Sequence, residues 1–528
     1  MTQMASKRPN IVCIMSDDTD FGWLGCYGGR TPTPHIDSLA ARGVRFTHMT
    51  CSAPACTPSR YSYLTGQYAG RCPDEHFLAT NPPDEPYNLA WNVVLNAHEP
   101  SLARVLRARG YRTGLAGKWH CGRPRHELVL PDLHADDNPN DPEVDARLRV
   151  HQAALQAEVR HTGGFDYAAS IIWGDNESFP LAQLRAHNLE WITQGALDFL
   201  DTCSGDQPFF LYVTPTAMHG PPHDSSYELD ERYTQGGRRE VPFACHPPRD
   251  EMRQRLEARG LPYNHDTVGI TWIDDQVGAI MRKLEEMGAA ANTVVIYKVD
   301  HNTEPGKGTC YQSGVRIPLV MAWPGVIEPR SSCDSWTQNV DLMPTLLDVS
   351  GTQARDSLVL DGVSWLPLLM GQADALPAED LFFEFGYARA LLHSKWKLVA
   401  LRYPQRLIDA MASGELDEAP NHSNMRLQGQ MNIAIEAYPS YFDPDQLFDI
   451  EQDPDERHNL ADDPAYAEVL AMMKARLQLH LDTFNHPFDL TVPNFMRSTR
   501  YRELCDATRQ IGTRHLSWWP KEPWWLPD

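Results

Sequence analysis

Three short, nearly unbroken apolar stretches constrain this chain most: residues 9–15 (PNIVCIM), 208–214 (PFFLYVT) and 293–299 (TVVIYKV). Each is too short for a buried helix and lacks the alternation of a half-exposed strand, which predicts strands covered on both faces. Residues 111–116 read as a weaker strand of the same kind. Helical patterns lie between them at 33–43, 101–110, 189–200 and about 267–287, with a further one at 342–349. Strands alternating with helices predict an α/β fold, a large, mainly parallel doubly wound sheet flanked by helices. From about residue 376 the texture changes. Short antiparallel strands are expected at 381–386, 390–393, 396–401 and 445–450, followed by a long amphipathic helix at 465–482. The chain therefore divides into a large α/β unit at 1–375, a smaller C-terminal α+β unit at 376–485 and an aromatic-rich tail at 486–528. In that tail Trp518, Trp519, Trp524 and Trp525 stand among prolines, which excludes a regular helix. The tail is expected to lie over a groove on its own chain or on a neighbour, giving a route to a homo-oligomer.

Charge excludes some partners. Asp and Glu outnumber Lys and Arg by 70 to 47, a net charge of -23, and such a field repels nucleic acid and anionic membranes. An anionic substrate would need a local basic pocket. No apolar run approaches the ~20 residues of a membrane span, and residues 1–10 are polar, without a secretory apolar core. Eleven cysteines scattered without C-x-x-C pairs suit a reducing compartment. Together these features predict a cytoplasmic protein.

Ligand sites of open α/β sheets gather at the carboxyl ends of strands, and polar clusters stand there in this chain. Ser16-Asp17-Asp18 follows the first strand, Lys118-Trp119-His120 the second, His219-Gly220-Pro221 the third and Asp300-His301 the fourth, with Lys307 in a Gly-Lys-Gly loop. Singly, each reads as an acidic turn, a satisfied histidine or a solvated lysine. Between the first two lies residues 51–60, CSAPACTPSR. A thiolate phosphatase needs an arginine six residues after its cysteine; Ser62 and Thr57 occupy those positions here, so that reading fails. Proline favours the first turn of a helix. Pro58, with Thr57 as cap, therefore puts Cys56 just ahead of a helix N-terminus, where free N–H groups and the dipole favour an anion. Arg60, one turn along, would add charge-assisted hydrogen bonds.

Cys56-Thr57-Pro58-Ser59-Arg60 resembles the C-x-P-S-R signature of the type I, formylglycine-dependent sulfatases of the alkaline phosphatase superfamily. The strand-end clusters follow in that family's order, so the resemblance spans roughly residues 8–325, with a weaker echo at 447–460 (LFDIEQDPDERHNL). It implies a sulfuric ester hydrolase in which a formylglycine-generating enzyme oxidises Cys56 to formylglycine, and one oxygen of the hydrated aldehyde attacks sulfur. It implies metal ligation by Asp17, Asp18, Asp300 and His301. Three carboxylates suit Ca²⁺, while His301, where many members carry Asn, keeps Mn²⁺ or another divalent cation open. Lys118 and Lys307 would neutralise the sulfate oxygens, His219 with Lys307 would protonate the leaving alcohol, and His120 would take the proton of the second hydroxyl. Relatives acting on phosphonate monoesters or phosphodiesters use the same aldehyde and metal, and a non-catalytic sulfate-ester binder is a third reading; Ser59 leans towards the sulfatase. Insertions at 72–98, 121–165 and 220–262 are expected to shape the pocket rim. There His76, Trp173, Asp175, Asn176 and His223 are candidates for holding a small sulfated sugar or related alcohol.

Overall fold

The computed structural model describes residues 8–123, 132–303, 305–352, 358–373, 380–422 and 429–512. In chain order, the first half holds β1 (Asn10–Ser16), α1 (Pro34–Arg42), β2 (Val44–Phe46), α2 (Cys56–Thr65) and α3 (Leu102–Ala108). Then follow β3 (Arg112–Lys118), α4 (Pro142–Gly163), β4 (Tyr167–Ile172), α5 (Leu189–Asp201) and β5 (Phe209–Thr214). The second half opens with α6 (His265–Glu286), β6 (Thr293–Val299), β7 (Leu319–Ala322), β8 (Ser331–Cys333) and α7 (Leu342–Val349). It closes with β9 (Asp380–Phe385), β10 (Ala388–His393), β11 (Trp396–Leu401), β12 (Asp445–Asp449) and α8 (Ala467–Leu481).

Eight of these strands form one sheet in the order β8-β2-β7-β6-β1-β5-β3-β4. All run parallel except β7, which is antiparallel to both β2 and β6. The expected mainly parallel sheet is therefore present. β1 sits in its middle, and its odd and even residues enter different cores. Ile11, Cys13 and Met15 pack on the side of α2, α3 and α7, while Val12 and Ile14 pack with apolar residues of α1, α5 and α6. Burial on both faces is why this strand shows no alternation.

Register brings the functional ends together. Ser16 of β1 lies opposite Val299 of β6, Ile14 opposite Val213 of β5, and Gly117 of β3 opposite Thr214. Asp17, Asp300, Lys118 and the segment after Thr214 thus leave the sheet along one edge. A bulge between Ala116 and Lys118 turns the last strand. Gly117 there has φ +113°, and a Cβ on it would lie 2.2 Å from the Thr214 carbonyl oxygen, so only glycine fits.

β9 to β12 form a four-stranded antiparallel sheet. Phe382, Leu391, Leu398 and Leu447 from its strands share a core with Met473, Leu477 and Leu481 of α8. Its other face is continuous with the large core: Phe383, Phe385, Ala390, Val399 and Leu401 belong to the cluster that contains Ile11 and Tyr63.

Several local readings need correction. The sequence of 72–98, rich in Pro, Asn and Asp, reads as a long loop, but Glu75–Thr80 within it is helical. The sequence suggests a surface helix at about 145–159; it runs from Pro142 to Gly163, burying Val144, Leu148, Leu155 and Val159 on one face and leaving Val150 72% exposed on the other. β4, β7 and β8 were not anticipated. The tail tryptophans lie outside the described residues. Among the described residues no helix is long and apolar enough to cross a membrane.

Candidate active site

α2 is the element everything else approaches. All ten of its residues are buried, a burial that Ser59 and Ser62 make unusual. Ala55 is its N-cap and Cys56 its first residue, with no side-chain cap. The expected capping by Thr57 does not occur; its hydroxyl is buried without a hydrogen-bond partner. Pro58 consequently stands third in the helix, still among the positions whose N–H has no intrahelical acceptor. Ser59 donates its hydroxyl hydrogen to the Asp300 carbonyl. Asn339 Nδ2 donates to both the Ser59 carbonyl and hydroxyl at 3.1 Å, while its Oδ1 accepts from the Ser52 amide at 2.8 Å. Asn339 fixes both approaches to Cys56, a role its sequence showed only as a polar run ahead of the apolar helix α7.

The Cys56 sulfur lies 3.1 Å from His301 Nε2, 3.6 Å from Asp17 Oδ1 and 3.9 Å from Lys118 Nζ. Asp17, Cys56, Asp300 and His301 are all buried, and one ligand atom from each falls within 4.8 Å of the others. Asp18 adjoins them: one oxygen accepts from Lys307 Nζ at 2.5 Å, and Oδ1 is buried with no hydrogen bond. That oxygen lies 3.2 Å from His301 Nδ1, but the nitrogen is engaged with the Asn302 carbonyl at 2.8 Å. With Nδ1–H donating there, Nε2 keeps a bare lone pair directed at the cluster. Buried carboxylate oxygens, one unpartnered, around such a nitrogen fit a divalent cation.

Arg60 faces inwards. Its guanidinium donates to Asp300 Oδ2 at 2.9 and 3.2 Å and to Asp17 Oδ2 at 3.2 Å, with a further bond to the Lys118 carbonyl at 3.3 Å. The arginine of the motif therefore positions the carboxylates instead of presenting charge to a substrate, as the sequence had suggested. Burial opposes ionisation of Asp17, yet Lys118 and Arg60 hold its carboxyl well below the usual range. Burial, reinforced by the Asp17 carboxylate, pushes the Cys56 thiol well above its ordinary value.

Lys118 Nζ bridges Asp17 Oδ2 and Asp175 Oδ1, each at 2.6 Å. Asp175 in turn lies 3.6 Å from His219 Nε2, whose other nitrogen faces Glu177 at 3.9 Å. The His219 segment is tied to β1: Asp17 N–H donates to the Ala217 carbonyl at 2.9 Å, and Met218 N–H to the Asp17 carbonyl at 2.5 Å. Burial, with Lys118 beside it, pushes His120 down to about 3, so its ring is neutral at pH 7. Asp18 (φ 51°) and His120 (φ 49°) both sit in the left-handed region, the local strain that active sites hold in place.

Of the rim candidates, Asp175 joins the cluster and Trp173 adjoins it, its carbonyl accepting the His120 amide at 2.9 Å. The other three do not. Asn176 is buried and bound to Thr216 and His187. His223 is buried in a stack between His187 and His265, at 4.6 and 4.2 Å. His76 sits in the helix Glu75–Thr80 with its amide on Asp74, and among the described residues none of its hydrogen bonds reaches the cluster. Glu177, beside His219, was not singled out from sequence.

Comparison with known proteins places the chain in a family. A family model described as Sulfatase matches residues 9–352, and one described as N-sulphoglucosamine sulphohydrolase, C-terminal, matches residues 306–405. Steryl-sulfatase of Rattus norvegicus is 27% identical, covering 92% of this chain and 91% of that protein. Arylsulfatase A of Homo sapiens is 28% identical, covering 90% and 88% respectively. Among solved structures, a protein from work on glycosaminoglycan metabolism by Bacteroides thetaiotaomicron shares the fold with TM-score 0.59 at 19% identity, covering 90% of this chain and 99% of that one. Another, solved with its substrate D-glucosamine-2-N,6-O-disulfate, gives TM-score 0.57 at 17% identity, covering 90% and 98%. With well over half of its length matched by one family model, and with strand ends converging on Cys56, this chain belongs to the sulfatase family of the alkaline phosphatase superfamily, enzymes that hydrolyse sulfuric esters.

Proposed function

We propose that this sulfatase cleaves a sulfate monoester of a small sugar or related alcohol, using a formylglycine made from Cys56 and a divalent cation. The observation that carries the reading is the setting of Cys56: first residue of a buried helix, 3.1 Å from His301 Nε2 and 3.6 Å from Asp17 Oδ1. A thiol held protonated there is a poor nucleophile. Asp17, Asp18, Asp300 and His301 would hold the cation; three carboxylates favour Ca²⁺, and the imidazole also admits Mn²⁺. When present, the hydrated aldehyde supplies an oxygen nucleophile that can later release sulfate, and the cation polarises it.

The chain's own residues do the rest. Lys118 and Lys307 bind the sulfate oxygens and neutralise charge as the S–O bond breaks. His219, between Asp175 and Glu177, delivers a proton to the departing alcohol oxygen. His120, neutral at pH 7, accepts the proton that must leave the nucleophile side. Asp175 keeps Lys118 and His219 in register, and Trp173 offers a sugar an aromatic surface beside it. Charge balance supports a singly charged ester. Asp17, Asp18, Asp175 and Asp300 face Arg60, Lys118 and Lys307, leaving one negative charge in excess. A divalent cation turns that into one positive charge, which a sulfate monoester cancels and a phosphate monoester dianion overshoots.

A phosphonate monoester carries the same single charge, and His301 makes that chemistry the second reading. Comparing turnover of an aryl sulfate with that of an aryl phosphonate separates the two: the sulfate is expected to be faster, and the reverse order overturns the assignment. A panel of sulfated mono- and disaccharides assayed for released sulfate tests the sugar, and preference for an intact polysaccharide contradicts it. Maturation by a formylglycine-generating enzyme and a cytoplasmic location belong to the same reading; eleven free cysteines, eight of them buried, support a reducing compartment.

A further inference from the structure

The loop that carries Lys307 is held from two sides. On the nucleophile side, Gly308 N–H donates to the Pro54 carbonyl at 2.9 Å, which ties the loop to the approach to Cys56. Within the loop, Gly306 lies against Gly314: a Cβ on Gly306 would meet Gly314 N at 2.3 Å, and one on Gly314 would meet Gly306 O at 2.2 Å. The Lys307 turn therefore rides directly on the short helix Gln312–Val315. Whatever fixes that helix fixes the lysine.

What fixes it comes from the C-terminal sheet. The first amide of the helix, Gln312 N–H, donates to Glu456 Oε2. Glu456 is 1% exposed, has φ 52°, and its other oxygen lies 3.1 Å from Lys397 Nζ, with both side chains fully buried. Lys397 belongs to β11, and Glu456 follows β12 in the stretch whose sequence only echoed the family. Beside this contact Tyr311 stacks on Tyr438 at 3.8 Å and donates to Gln446 Oε1 at 2.6 Å. A left-handed, wholly buried glutamate with a buried counter-charge is costly to maintain, and the backbone hydrogen bond its side chain accepts comes from the helix against which the Lys307 loop packs.

We propose that Glu456 is a positioning residue for catalysis: through Gln312 N–H it sets where Lys307 stands relative to the sulfate ester. The C-terminal unit is by this account part of the catalytic apparatus, and Lys397, 3.1 Å away, keeps Glu456 aimed. The inference rests on the role given to Lys307 under the proposed function. Misplacement of a catalytic group by a fraction of an ångström to 1 Å costs up to about 100-fold in rate.

Two variants test it in the full-length, converted, metal-loaded enzyme. Glu456→Ala removes the acceptor but leaves Lys397 without its counter-charge, so it can fail to fold. Gln312→Pro is gentler. It deletes the donated hydrogen at the first position of a helix, where proline is tolerated, together with a side-chain amide whose buried atoms have no hydrogen-bond partner, and keeps the Lys397–Glu456 pair. Turnover of an aryl sulfate is measured for each variant alone and combined with Lys307→Ala. Gln312→Pro is expected to lower kcat by about 10- to 100-fold while still unfolding in one cooperative transition, its melting temperature lowered only by the loss of one buried hydrogen bond, and to cost nothing further in kcat once Lys307 is alanine. If Gln312→Pro keeps full kcat, or lowers it by the same factor with and without Lys307, the positioning role is wrong. If Lys307→Ala alone leaves turnover intact, the role of Lys307 fails first, which separates the two outcomes.

Discussion

Arg60 illustrates how much a single side chain settles here. Its planar fork reaches Asp17 and Asp300 together, so two carboxylates that would repel each other are aimed at a common point before any cation arrives. Lysine carries the same charge without the fork. Arg60→Lys is therefore expected to weaken binding of the proposed divalent cation about 10- to 100-fold, the usual cost of losing an outer orienting partner. Calorimetric titration of metal-free enzyme with Ca²⁺ checks this, and an unchanged affinity contradicts the orienting role. Spacing alone identified Arg60 but could not say which way it points, because four residues along a helix is a direction only once the sheet is placed. Thr57 misled for a related reason: its residue type suits a cap, yet the cap is Ala55, two residues earlier.

At the level of elements, the bulge in β3 and the start of α1 make separate predictions. Gly117 is the one residue that lets β3 turn and deliver Lys118. Gly117→Ala forces a Cβ onto the Thr214 carbonyl, and is expected to cost about 1–3 kcal/mol of stability and about 100-fold in kcat/KM. Chemical denaturation and aryl sulfate turnover read the two effects, and wild-type activity in the variant contradicts the geometry. α1 is capped from another element: Asp274 of α6 accepts the His35 and Ile36 amides at 2.9–3.0 Å, while Thr33 provides no side-chain cap. Burial outweighs those bonds and pushes Asp274 up to about 7. The folded state therefore binds its proton more tightly than the unfolded chain, and between about pH 4 and 7 this group makes stability fall as pH rises. Asp274→Asn removes the penalty, so the variant should gain on wild type by about 2–4 kcal/mol from pH 4 to pH 8. Denaturant midpoints across that range test it, and a parallel pH dependence contradicts it.

Strands buried on both faces were legible because little that is polar interrupts them, Lys298 in β6 being an exception. β4 was not, since Ala168, Ala169 and Ser170 give an edge strand no strong apolar signal, and β8 is three residues of Ser-Ser-Cys. The strand-end residues Asp17, Lys118, His219 and Asp300 could be read because a parallel sheet aligns such ends whatever the loops do. Rim residues lacked that constraint. His223 and Asn176 turned out to hold the loop together from inside, and Glu177 gave no signal beyond its charge.

At the scale of the molecule, the described residues form one packed body. The core cluster that includes Ile11 of β1 extends through Phe383 and Leu401 to Leu504, so residues 376–485 are no appendage to 1–375. Calorimetry of the full chain is expected to show one cooperative transition, and a chain ended after residue 375 should not fold, having exposed Tyr63 and its neighbours. Two well-separated transitions would contradict this. The central claim, however, concerns Cys56. Its most direct test is the rate of sulfate release from an aryl sulfate, measured against the fraction of Cys56 that mass analysis finds to have lost sulfur and gained oxygen. The account predicts turnover proportional to that fraction and none above background in Cys56→Ala. Full turnover by enzyme whose Cys56 is intact or replaced would contradict it.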